Sequence, residues 1–237
     1  MTTAAAIDLL DNVSGKFGTI LADPPWRFTN RTGKVAPEHG RLRRYETMDL
    51  DDIKNLPVKD LALEKSHLYL WVPNAMLPEG LEVMKAWGFK YKGNIVWYKT
   101  RKDGGPDGRG VGFYFRNVTE ILLFGVRGSM RTLNPGRTQV NIILKQKREH
   151  SRKPDEQYKL IESCSPGPYL EMFARAKRDG WAQWGDEIES YPETQLARIQ
   201  NGKTYKVDAI LKDEALFEVL EWKGVSSKPR RAIVKTT

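Results

Sequence analysis

The chain has 237 residues, 40% hydrophobic and 10% aromatic, which is the composition of a globular protein with room for one large or two small domains. A single cysteine, Cys164, excludes a disulfide framework; three scattered histidines, His39, His67 and His150, argue against a resident metal. The net charge is +9, and the stretch from Lys99 to Lys153 accounts for all of it, with thirteen basic residues against four acidic ones, so a polyanion partner is expected.

Met1–Asp8 lacks the basic region and long apolar core of a signal peptide, and no apolar run approaches the roughly 18 residues of a membrane helix, so a cytoplasmic setting is expected. Phe17–Ala22 is predicted to be a buried strand. Asp49–Leu56 reads as a helix that opens on Asp-x-x-Asp and stops before Pro57. His67–Val72 is a second strand. Leu77, Leu81 and Met84 have helical spacing, and Gly88 ends that helix. Asn94–Tyr98, Glu120–Val126 and Val140–Leu144 are further strands. Ser151–Cys164 reads as a helix capped by Ser151, with Pro154 in its first turn. Leu170–Phe173 is a strand after the turn Ser165-Pro166-Gly167-Pro168. Strands alternating with helices predict an α/β domain with a largely parallel sheet over residues 1–190. Residues 191–237 read as a small appendage of unassigned role, with Thr204–Leu211 and Phe217–Trp222 as possible strands. Two long polar loops interrupt the pattern, Arg27–Arg44 and the glycine-rich Arg101–Arg116.

Asp23-Pro24-Pro25-Trp26 directly follows the first strand. Asp23 therefore falls at a strand's carboxyl end, where open α/β sheets bind ligands. The prolines lack N–H groups and hold the chain extended, so their carbonyls are expected to stand free as acceptors. Asp23 adds a carboxylate, and Trp26 is expected to offer a flat stacking surface. This set suits a planar ring with an exocyclic amine. If Asp23 and the Pro24 carbonyl accept the two hydrogens of an adenine amine, its lone pair leaves ring conjugation and can attack a methyl group. An adenine inside a duplex would first be flipped out and stacked, in this reading on Trp26.

Four further segments complete a pattern: Glu149-His150-Ser151-Arg152-Lys153-Pro154-Asp155-Glu156, Tyr169-Leu170-Glu171-Met172-Phe173-Ala174-Arg175, Gly180–Glu187, and Ile95–Thr100, together with Tyr45–Met48 and Leu70–Val72. Taken in chain order with the early tetrapeptide, they resemble the MT-A70 family of N6-adenine methyltransferases, from about Gly15 to Glu187. The resemblance implies a Rossmann-like class I methyltransferase domain with S-adenosylmethionine as cofactor. It implies that Asp23, Pro24, Pro25 and Trp26 form the catalytic tetrapeptide. Asp23, Lys153, Glu171, Phe173, Arg175, Asp186 and Glu187 would bind the cofactor. Of these, Lys153 would lie near its carboxylate and Glu171 at its ribose hydroxyls. Asp186 and Glu187 stand where the eukaryotic mRNA enzyme has Asn-Gln, and Lys177 replaces a histidine.

The two loops match the family's substrate-facing segments. Arg27, Arg31, Lys34, Arg41, Arg43, Arg44, Lys99, Arg101, Lys102, Arg109 and Arg116 are expected to meet phosphates, and Tyr45, Phe113 or Tyr114 to stack on bases. The chain is expected to act as a monomer or weak homo-oligomer on nucleic acid. DNA is preferred over RNA because no zinc finger or other RNA module is apparent. An RNA adenosine methyltransferase, or a catalytically silent relative that binds nucleic acid, are the alternatives.

Overall fold

The computed structural model describes residues 3–27, 47–108, 114–147 and 152–185. The expected appendage from 191 onward lies outside them, as do Arg31, Lys34, Arg41, Arg43, Arg44, Tyr45, Arg109, Phe113, His150, Asp186 and Glu187.

Helix α1 (Ala4–Asn12) starts where Thr3 Oγ1 accepts the Ala6 N–H at 3.2 Å, and it buries Ala6 and Leu9. Strand β1 (Phe17–Ala22) is buried throughout, as a strand with parallel neighbours on both sides must be. Two short helices follow, α2 (Leu50–Lys54) and α3 (Val58–Leu61). Strand β2 (Ala62–Val72) begins five residues earlier than its apolar run, because Leu63, Glu64 and Lys65 are exposed and hide the strand pattern. Helix α4 (Leu77–Ala86) gives way at Gly88, whose φ of 84° is left-handed and suits glycine. Strands β3 (Lys90–Thr100), β4 (Thr119–Arg127) and β5 (Ile142–Gln146) are followed by helix α5 (Glu156–Cys164) and strands β6 (Tyr169–Met172) and β7 (Trp181–Trp184). The α5 helix starts at Glu156, not at Ser151, so Lys153 and Pro154 belong to the approach to the helix. Both α1 and β7 escape the sequence patterns: each buries only two residues.

The seven strands form one sheet in the order β5-β3-β4-β2-β1-β6-β7. β4 runs antiparallel to β2 and β3, and every other neighbouring pair is parallel. Six strands thus end at one edge, and β4 begins there. Alternation along the strands sorts the core. Ile20, Ala22, Leu68 and Leu70 face α1–α4 on one side. Leu21, Tyr69 and Trp71 face Leu160, Ile161 and Cys164 of α5 on the other. The expected α/β architecture, a mostly parallel sheet with helices on both faces, is what the chain adopts.

Midway along β2, His67 is completely buried. Its Nδ1 shares a hydrogen bond with Ser165 Oγ at 2.7 Å, which also meets the Tyr69 hydroxyl at 2.8 Å, and its Nε2 has no partner among the described residues. Burial pushes the imidazole down from 6.5 to about 4. The unfolded chain takes up this proton near 6.5 and the folded chain only near 4, so stability is lost as pH falls between those values. By linkage the loss amounts to about 3 kcal/mol. Urea unfolding of wild type beside His67→Gln is expected to show this difference opening between pH 6.5 and 4; parallel curves would place the histidine's pKa elsewhere.

Candidate active site

The chain leaves β1 at Ala22 and enters Asp23-Pro24-Pro25-Trp26 at the sheet's carboxyl edge. The carbonyls there are engaged: the Trp26 N–H donates to Pro24 O (2.8 Å) and the Met48 N–H donates to Pro25 O (2.9 Å). The expectation of idle carbonyls is therefore corrected, although a carbonyl oxygen has two lone pairs and Pro24 O retains one. Trp26 also differs from expectation. Its ring is 6% exposed, packs in the core, and its Nε1–H donates to Trp71 O at 2.9 Å. It anchors the tetrapeptide from below and offers no open face to a base. Arg27 donates to Thr47 Oγ1 (3.2 Å) and pairs with Asp49, so the two chain segments flanking residues 28–46 are tied together.

The Asp23 carboxylate is gripped by Lys153, whose Nζ lies 2.9 and 2.7 Å from its two oxygens. The same ammonium is 3.4 Å from Glu120 Oε2, and the other Glu120 oxygen pairs with Lys99. Four charges thus alternate along the edge: Lys99 on β3, Glu120 on β4, Lys153 before α5 and Asp23 after β1. Beneath them, Trp71 of β2 puts its ring 5.4 Å from Lys153 Nζ and is itself oriented by an Nε1–H bond to Gln157 Oε1 (2.7 Å). Burial opposes the charged form of Lys153, but Asp23 and Glu120 outweigh it and hold its pKa above the ordinary lysine value. Burial likewise opposes charge on Glu120, and Lys153 and Lys99 outweigh that, holding the carboxyl below its usual range.

Next to this row, Leu21 of β1 pairs with Glu171 of β6, so Asp23 and Glu171 emerge from adjacent strands. Glu171 Oε1 accepts the Tyr158 hydroxyl at 2.8 Å, and Arg178 covers the Tyr158 ring at 3.6 Å from its centroid. Glu171 Oε2 is buried and has no hydrogen-bond partner among the described residues. After Met172 the chain turns sharply: Phe173 has a φ of 62°, rare for a side-chain-bearing residue, and its ring meets Trp184 edge-on at 5.1 Å. A Cβ on Gly185 would come within 2.3 Å of Ala174 O, so only glycine allows β7 to pass this turn. Arg175 is half-buried, and its charge acts against that of Lys153.

Among the expected phosphate contacts that are described, Lys99 lies near the end of β3. Its side chain is 11% exposed and committed to Glu120, so it points along the sheet edge and not outward. Arg101 pairs with Asp103 at 2.8 Å. Lys102 and Arg116 are exposed. Tyr114 and Phe115 are 94% and 83% exposed, two large rings at the surface beside them in sequence. Glu120, Trp71, Tyr158 and Phe115 were not singled out from the sequence. A hint existed for Glu120 alone, as a carboxylate opening a strand inside a strongly basic stretch.

A mostly parallel seven-stranded sheet with one reversed strand, and acidic side chains at the carboxyl ends of two adjacent central strands, define a Rossmann-like methyltransferase domain. The family model described as MT-A70 matches residues 17–187. The chain belongs to the MT-A70 family of S-adenosylmethionine-dependent N6-adenine methyltransferases. It is 30% identical to the N(6)-adenosine-methyltransferase MT-A70-like of Arabidopsis thaliana over 181 residues, which is 75% of this chain and 24% of that protein. It is also 30% identical to the human (Homo sapiens) N(6)-adenosine-methyltransferase catalytic subunit METTL3 over 182 residues, 75% of this chain and 29% of that protein. The type II methyltransferase M.MunI of a Mycoplasma species is 25% identical over 189 residues, 73% of this chain and 78% of that one. The chain spans about a quarter of the length of the plant and human relatives.

The edge fits the family's cofactor. The unpartnered Glu171 Oε2 is an acceptor awaiting a hydroxyl donor, and the glycine at 185 keeps the neighbouring backbone bare. Burial pushes the carboxyl up from 4.5 to about 7, with Tyr158, Gln183 and Arg178 opposing. The folded chain therefore binds this proton more tightly than the unfolded one, and the associated stability is lost as pH rises from 4.5 to about 7. This slope opposes that of His67 over nearly the same window. Glu171→Gln is expected to expose the rising His67 slope alone in urea unfolding between pH 4 and 7. A variant curve parallel to wild type would contradict the assignment.

Proposed function

We propose that the chain is an adenine-specific DNA methyltransferase that transfers a methyl group from S-adenosylmethionine to the N6 amine of a flipped-out adenine. The observation that carries this reading is the Asp23 carboxylate, held by both oxygens on Lys153 at the end of β1, beside Glu171 with its unpartnered oxygen at the end of β6.

Bound S-adenosylmethionine supplies an electrophilic methyl on a sulfonium sulfur. Glu171 would accept from its ribose hydroxyls, with Phe173 and Arg175 beside it. The chain's remaining work is on the amine. A carboxylate oxygen bonded to an ammonium still has an unused lone pair, so Asp23 can accept one N6 hydrogen while Lys153 fixes its direction. The second lone pair of Pro24 O can accept the other. With both hydrogens turned toward acceptors, the nitrogen lone pair points away from the ring system. The same two acceptors stabilise the positive charge that builds on nitrogen, and the proton that N6 sheds after methylation would leave along its hydrogen bond to Asp23. Fixing amine and methyl in line supplies much of the remaining acceleration. No side-chain nucleophile takes part. Since Trp26 is core, the flipped base would stack on an exposed ring; Tyr114 and Phe115, exposed in the loop before β4, would serve, with Lys102 and Arg116 for phosphates.

DNA is favoured by the match to a type II methyltransferase over 78% of that protein's length. The second reading, RNA, is favoured by the higher identity to proteins named N(6)-adenosine-methyltransferases. Labelled S-adenosylmethionine with matched DNA and RNA, followed by digestion to nucleosides, separates them. Label is expected in N6-methyldeoxyadenosine, and Asp23→Ala is expected to lower the rate by about two to three orders of magnitude. Label confined to the ribonucleoside would overturn the DNA reading. Full activity in Asp23→Ala would overturn the mechanism.

A further inference from the structure

The row of alternating charges contains a member that touches none of the expected reacting groups. Lys99 sits near the end of β3, where its N–H bonds Val118 O across to the chain entering β4 (2.8 Å). Its stem lies along Trp97, with Nζ 5.0 Å from the ring centroid, and its ammonium ends on Glu120 Oε1. Glu120 therefore divides its two oxygens between two ammoniums, Lys99 on one and Lys153 on the other. Lys153 in turn stands between two carboxylates, closer to Asp23 (2.7 Å) than to Glu120 (3.4 Å). The position of Lys153 is a contest between two anions, and Lys99 weakens one contestant.

We propose that Lys99 is a positioning residue: by neutralising Glu120 it leaves Lys153 committed to Asp23, and so fixes the carboxylate that receives the amine. Charges a few ångströms apart at a partly desolvated edge interact strongly, so an uncompensated Glu120 draws Lys153 toward itself. Asp23 then loses the clamp on both its oxygens. A small shift of a catalytic acceptor is enough to slow a reaction that depends on alignment. The inference rests on the function proposed above, and it replaces the expectation that Lys99 grips phosphate: a side chain with 11% exposure, engaged with a carboxylate, is poorly placed for that.

The test is Lys99→Met, which keeps the stem over Trp97 and removes the charge, with Lys99→Arg as the conservative rescue. Expected is a fall in kcat of about ten- to a hundredfold. The affinity for a fluorescent adenine-containing oligonucleotide, measured without cofactor, and its salt dependence are expected to stay as in wild type. Lys99→Arg is expected to restore most of kcat, and Lys99→Met placed on Glu120→Gln is expected to cause no further loss, because its effect runs through that carboxylate. An unchanged kcat with weaker binding and a salt slope shallower by about one would make Lys99 a phosphate contact and overturn the proposal. An equal loss in the Glu120→Gln background would overturn it too. Should Lys99→Met not fold, Lys99→Gln is judged by the same readouts. If wild type transfers no methyl group to either nucleic acid, the proposed function fails, and a crystal structure of the variant decides the positioning role alone. Lys153 displaced toward Glu120 supports it, and Lys153 still on both Asp23 oxygens refutes it.

Discussion

The ammonium of Lys153 between the carboxylates of Asp23 and Glu120 is the contact on which the site depends. Three separate parts of the chain meet there: the end of β1, the start of β4 and the approach to α5. Removing a charge from water is costly, and an ion pair at a protein's interior edge repays that cost only when every charge is met. Here each inner charge is met twice, Lys153 by two carboxylates and Glu120 by two lysines. The shifts agree with this: despite burial, Lys153 is held above its ordinary pKa and Glu120 below. The result is a carboxylate fixed in place by two contacts to one ammonium, as an acceptor for an amine must be.

The reversed strand makes the row possible. In a fully parallel sheet the carboxyl edge collects only strand ends. Because β4 runs the other way, its first residues arrive at the same edge, and Glu120 comes to rest between a residue leaving β3 and one approaching α5. The aromatic layer below gives the charges a firm floor: Trp71 lies under Lys153, meets Trp97 edge-on at 6.3 Å, and holds Trp26 through its carbonyl. The tetrapeptide is thus fastened from beneath by an indole hydrogen bond and from the side by Met48 and Arg27. Glu171 contrasts with the row. One of its oxygens has no hydrogen-bond partner among the described residues, and burial raises the carboxyl's pKa to about 7, a perturbation of the kind found at ligand sites.

Much of this was legible in the sequence. An apolar run followed at once by Asp-Pro-Pro-Trp places Asp23 at a strand end whatever the rest of the fold, and the strand expected at Leu170–Phe173, with the family resemblance, pointed to Glu171. Alternation of strands with helices predicts a largely parallel sheet, whereas the pairing of these two strands is known from the structure alone. The direction of β4 was not legible, since an apolar strand pattern reads alike from either end, and Glu120's place in the row was hidden with it. Trp26 and Lys99 illustrate a second limit. Both were assigned by what their side chains can do in general, a flat ring and a mobile cation, whereas burial decides which capacity is used. Trp26 spends its ring on the core and its N–H on Trp71, and Lys99 spends its charge on Glu120. Prolines likewise imply missing donors but not how their carbonyls are occupied.

The central claim is that the clamped Asp23 receives the amine of an extruded adenine. A crystal structure of the chain with S-adenosylmethionine and a short adenine-containing oligonucleotide tests it most directly. The account requires the base outside its stack, its N6 within hydrogen-bond distance of an Asp23 oxygen and of Pro24 O, and Lys153 still on Asp23. An adenine amine held by other groups, with Asp23 closed off behind Lys153, would contradict it.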